Sequence, residues 1–297
     1  MKTLLICPSF RFALPQLVAQ GPLALAPILG ECVVSHWIEH LAGLGASHVV
    51  VLTADRADQV SAMLGDGGRW GVRLEVIATG IEPTVAEATA RYRPADDTNW
   101  LGAPHDIVFI DHLPGCPHQP LFASYASWFA ALLAWMPRAI TPTRIRVNEI
   151  SPGIWVGRRA HVSATARLTA PCWIGDQVFI EPGAIVGPGA IIEDRSVIEA
   201  EACITNSWVG PDTFVGPMTS IASSLAWGSN LTNWRTESSL RVPDPFLLCS
   251  LSSKPTPPSE PFERVRRAPA LVGRAVLNWL PAWTASGNRT QDSTPQH

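Results

Sequence analysis

The chain has 297 residues, room for two modest domains, and 46% of them are apolar, which supplies a sizeable core and excludes wholesale disorder. Only 16% are charged, the net charge is −3 and the pI lies near 6.2, which argues against a nucleic-acid partner held by phosphate neutralisation. Twenty-seven prolines and 22 glycines are too many for an all-helical protein.

In chain order, residues 4–7 read as a first buried strand. They are too short for the apolar core of a signal peptide, and Arg11 follows at once. The uncharged run 12–30 is broken by Pro15, Pro22 and Pro27, so it does not form one membrane helix. Val33, Trp37, Leu41 and Leu44 recur at helical spacing, and residues 48–52 form a second apolar run. Ala57, Val60, Met63 and Leu64 predict another helix, with Asp55 as its cap. Residues 72–78 and 106–110 add two further strands. Strands alternating with helices predict a parallel, doubly wound sheet, whose ligands sit beyond the strand C-termini. That places the loops 8–11 and 111–118 at the candidate site. The apolar stretch 121–136 is shorter than the roughly 20 residues of a membrane span and reads as a buried amphipathic helix. Six scattered cysteines without a C-x-x-C pair suit a reduced, cytoplasmic protein.

The second half carries a six-residue clock. Val156, Val162, Leu168, Ile174, Ile180, Val186, Ile192, Ile198 and Ile204 are each six apart; after one step of five it resumes at Val209, Val215 and Ile221. Four residues behind run smaller side chains, among them Ala160, Cys172, Ala184, Ala190 and Ala202. A period of six excludes an α-helix and fits a coil with three flat faces. The pattern resembles the left-handed parallel β-helix of hexapeptide-repeat proteins, with about four coils.

The stretch 22–30, PLALAPILG, resembles the P-K-x-L-x-P-V-x-G segment of sugar-1-phosphate nucleotidyltransferases. Residues 64–72, LGDGGRWGV, are similar to that family's L-G-D-G-S-x-W-G-V loop. Glu82-Pro83-Thr84 echoes its E-x-P-x-G-T segment, and residues 106–111 resemble the strand that ends in its metal-binding Asp. The resemblance implies a Rossmann-like α/β nucleotidyltransferase domain over residues 1–145, followed by a left-handed β-helix over 150–230. A closing segment at 231–251 and a Pro/Ser-rich linker with a basic, largely disordered tail at 252–297 complete the chain. It also implies that Arg11 faces a triphosphate, that Asp111 holds Mg²⁺, and that Glu82 and Thr84 contact a nucleotide or sugar nucleotide in a homo-oligomer.

Polyphosphate chemistry needs bare amides, cationic groups and a divalent metal. The family's glycine-rich loop corresponds here to Cys7-Pro8-Ser9-Phe10-Arg11-Phe12, which has no glycine; Pro8 has no N–H, and Phe10 would crowd a phosphate. The family's lysine falls at Leu23, and no lysine lies between Lys2 and Lys254. These departures point to degenerate or lost catalysis, or to a non-catalytic binding or scaffold subunit. Two further constellations stand beside this reading. Asp111, His112, Cys116 and His118 are residue types that ligate transition metals, although loops of this composition are common. His161, the one histidine inside the repeat, is the candidate base of a hexapeptide acyltransferase. The tryptophans are read as packing residues.

Overall fold

The structure, a computed structural model, describes residues 1–94, 97–139 and 147–252, and the tail reading beyond Ser252 lies outside the described residues. Met1–Ser252 forms one compact unit. Continuous apolar runs predict strands covered on both faces, and Leu4, Leu5 and Ile6 are fully buried. The strands Lys2–Ile6, His48–Thr53, Arg73–Ala78 and Ile107–Phe109 make a parallel sheet in the order third, second, first, fourth. Leu4 lies opposite Val50 on one side and Ile107 on the other. Helices α1 (Pro15–Gln20), α2 (Val33–Gly43), α3 (Ala57–Leu64) and α4 (Val85–Tyr92) connect them. Asp55 does not cap α3. Arg56 takes the N-cap position with φ 43°, and the Asp55 carboxylate instead accepts its Nε at 2.9 Å.

Helix α5 (Tyr125–Trp135) occupies the apolar stretch. Ser124 caps it by accepting the Ser127 amide at 3.1 Å. Tyr125, Trp128, Phe129, Ala131, Leu132 and Trp135 are buried, whereas Ala126, Ala130 and Ala134 on the opposite side are exposed, so the helix buries its large side chains and turns a face of small ones outward. Among the described residues no helix is long and apolar enough to cross a membrane.

The second half is a left-handed parallel β-helix. One face stacks Ile154–Gly157, Cys172–Ile174, Ala190–Ile192, Ser207–Val209 and Ser224–Trp227. The second stacks His161–Val162, Phe179–Ile180, Val197–Ile198 and Thr213–Val215; the third stacks Arg167–Leu168, Ile185–Val186, Cys203–Thr205 and Ser220–Ala222. The six-residue clock points inward: Ile174, Ile192 and Val209 lie in register and are fully buried. The five-residue steps from Ile204 to Val209 and from Ile221 to Ala226 leave this register intact, because a corner absorbs each missing residue.

The first face also turns large side chains outward. Trp155, Trp173, Ile191, Trp208 and Leu225 align rung on rung and are buried in one core with α2 and α5. Trp128 of α5 meets Trp208 edge-on at 6.5 Å, and Phe129 stacks on Trp234 at 5.3 Å. At about 25 cal/mol per Å², each buried indole contributes roughly 4–6 kcal/mol of gross transfer energy. The two halves therefore share a core.

Candidate functional site

The sheet is parallel, so the loops after its strands meet at one edge. Residues 8–14 leave the first strand there, residues 79–84 leave the third, and Asp111 follows the fourth. Sequence reasoning placed Arg11, Glu82, Thr84 and Asp111 in one site. The structure joins two of them. Arg11 makes a bidentate pair with Glu82, Nη1 to Oε2 at 2.9 Å and Nη2 to Oε1 at 2.7 Å. The Ser9 amide donates to the same carboxylate. The guanidinium also donates to the Phe10 carbonyl at 3.1 Å. An amide and a cation converge after the first strand, as a phosphate site requires, but Glu82 occupies them.

Burial works to raise the Glu82 carboxyl, but the hydrogen bonds from Arg11 and Ser9 outweigh it and hold it below the usual carboxylate range. A lowered folded pKa means the pair stabilises above the ordinary carboxylate range and loses that contribution as pH falls through the folded value. Glu82→Gln is expected to cost about 1 kcal/mol at pH 7, and less at pH 3. Thermal midpoints of both forms across pH 3–7 check this.

The remaining residues have other partners. Thr84 caps α4: its Oγ accepts the Glu87 amide at 3.2 Å, and Glu87 accepts the Thr84 amide at 2.8 Å. The T-x-x-E spacing of 84–87 is a capping-box signal that sequence reasoning passed over. Asp111 is exposed and bonded to His112. Cys116 Sγ accepts from Arg138 Nη1 at 3.2 Å, and His118 is exposed. Among the described residues no three His, Cys, Asp or Glu side chains form a set able to hold a metal, so this loop is not the ligand cluster that its composition suggested. Asp111, bonded to His112, fits Mg²⁺ poorly for the same reason, since it belongs to no three-ligand set among the described residues.

Leu23, at the family's lysine position, is 1% exposed and packs into the core. Phe10 and Phe12 do not fill a cleft. They are 49% and 90% exposed and meet edge-on at 4.7 Å, so the obstruction at this loop is Glu82. In the 64–72 loop, Arg69 lies over Trp70 at 3.8 Å and donates to Ser35 Oγ at 2.8 Å, tying the loop to α2. His161 is exposed, its ring 6.1 Å from Phe179, and no acid among the described residues is bonded to it.

Comparison with known proteins gives a local match. Residues 171–206 match the bacterial transferase hexapeptide model (six repeats). No curated protein matches the chain. A mutant perosamine N-acetyltransferase from Caulobacter crescentus, solved with CoA and GDP-perosamine, is similar at 15% identity over 61% of this chain and 93% of that one, with a TM-score of 0.13. A likeness of that size transfers neither fold nor chemistry.

Proposed function

We propose that this chain is a nucleotidyltransferase-like protein of sugar-nucleotide metabolism that has lost nucleotidyl transfer and acts as a binding or scaffold subunit. One observation carries the reading: the only cation on the loop after the first strand is paired, bidentate, with the protein's own Glu82. A triphosphate would have to displace a carboxylate that is already fully hydrogen-bonded. The family's lysine position adds no ammonium group, because Leu23 stands there. The resemblance of segments 22–30 and 64–72 supports the ancestry.

Supplied with nucleoside triphosphates, sugar 1-phosphates and Mg²⁺, the protein is expected to release no pyrophosphate above the blank. Release that disappears in Asp111→Ala overturns the reading. Calorimetry with nucleoside diphosphate sugars then separates a binding subunit from a scaffold. The scaffold form of the reading includes self-association. The second face of the β-helix turns Phe179, 47% exposed, Val197 and Phe214 outward in one ladder, and light scattering showing only monomer counts against it.

A further inference from the structure

The two ends of the β-helix are finished differently. At the C-terminal end, Asn230–Asn233 and Leu248–Ser250 run antiparallel to the last strands, and Ile221, Ala226 and Leu248 are buried. At the N-terminal end the inward side chains of the first coil, Ile154, Val156, Ala160, Val162, Ala166 and Leu168, are only half-buried. Their counterparts one coil on, Cys172, Ile174, Val178, Ile180, Ala184 and Val186, are 0% exposed. His161–Val162 and Arg167–Leu168 are the last strands of their sheets among the described residues. The amides of His161, Ser163, Arg167 and Thr169 donate to the second coil. Strand alternation therefore turns the backbone of Val162 and Leu168 the other way, off the end of the helix. Only the first face carries a further strand there, Val147–Ser151, antiparallel to Ile154–Gly157. The end is stepped, one strand deeper on one side than on the other two.

We propose that this stepped end is an interface on which a second copy of the chain stacks end to end about a two-fold axis. A step is its own complement. Under a two-fold rotation the 147–151 strand of each copy fills a bare side of the other, and unpaired strand edge meets unpaired strand edge. A single extended peptide would cover one bare side and leave the second open, whereas a matching end covers both. The side chains agree with this. Ile150 on the projecting strand is 61% exposed and supplies an apolar group to the half-buried Val162 and Leu168 of the other copy. Glu149 is exposed and lies opposite the outward-facing Trp155, so it points away from the coil. The bare sides carry His161 and Arg167, outward and exposed. A carboxylate on the step thus meets cationic side chains at the recess, twice in the symmetric pair. Terminal coils of a solenoid need such cover. One coil end is small beside the ~1,600 Å² buried in a standard interface, so the pair is expected to dissociate on dilution.

Sedimentation equilibrium of the full chain is expected to show monomer and dimer in exchange at concentrations up to about 0.5 mM. Ile150→Asp and Arg167→Glu, both at exposed positions, are each expected to weaken the dimer about tenfold or more without moving the melting midpoint. Phe179→Ser, on the second-face ladder, is expected to leave it unchanged. A chain that stays monomeric throughout, or a dimer broken by Phe179→Ser and not by Ile150→Asp, overturns the proposal. Amide hydrogen exchange identifies the cover: protection at Val162 and Leu168 is expected to grow with protein concentration. Protection equal at every concentration means that a segment of the same chain covers the end, and no protection means that nothing does; either result overturns the proposal.

Discussion

Trp208→Ala is expected to lower the unfolding free energy by about 3–5 kcal/mol, the range for truncating a buried aromatic. Trp208 is fully buried, meets Trp128 and Trp227 edge-on, and hydrogen-bonds Glu193. The truncation therefore opens a cavity between α5 and the β-helix and also removes one donor from a buried acid. Two milder variants separate these effects. Trp208→Phe keeps most of the packing and loses the N–H, a cost of about 1–3 kcal/mol. Trp173→Phe serves as its control, since Trp173 Nε1 is buried with no acceptor among the described residues. Urea denaturation of the three variants gives the order: Trp208→Ala least stable, Trp173→Phe most. A Trp208→Ala midpoint equal to that of the native protein would mean that the shared core does not hold the halves together.

Gly187→Ala is expected to destabilise by about 3 kcal/mol or more. Gly187 sits at a β-helix corner with φ +99°, and a Cβ there would lie 1.9 Å from the Thr169 carbonyl oxygen of the preceding coil. The left-handed backbone alone costs an L-residue roughly 1–2 kcal/mol. Forcing the coils apart adds about 1–3 kcal/mol. Neither atom of the clash belongs to a flexible side chain, so relief requires the backbone to move. Gly21→Ala, where a Cβ meets nothing within 4 Å, is the matching control and leaves the melting midpoint unchanged.

Much of the fold was legible in the sequence, because a coil that repeats every six residues must place the same kind of side chain inward each time. Ile174 through Ile204 keep that rule. The strands around Leu4, Val50 and Ile107 were equally plain, since covered strands are continuously apolar. The face that binds the two halves was also written in the chain, at a longer period. Trp155, Trp173 and Ile191 are 18 apart, and Trp208 and Leu225 follow at 17. A search at six hides that signal among the outward positions of the other two faces, such as His161, Arg167 and Phe179. Pairs that depend on distant loops were not legible. Nothing near Arg11 announces Glu82, 71 residues away, as its partner. Glu193 looked like Glu181 and Glu199, acids that follow an aliphatic residue at a corner; only the turn at Leu29 and Gly30, whose amides it accepts, makes it buried. Thr84 shows the opposite case, a short local signal that a resemblance displaced.

The shared core has a consequence for synthesis. Trp128 and its neighbours in α5 leave the ribosome well before Trp208 and Leu225, the rungs that cover them. At about 5–20 residues per second the apolar helix waits roughly 5–20 s for its cover. During that interval the nascent chain carries an unshielded hydrophobic segment, and a chaperone able to hold it would raise the yield of correctly folded protein.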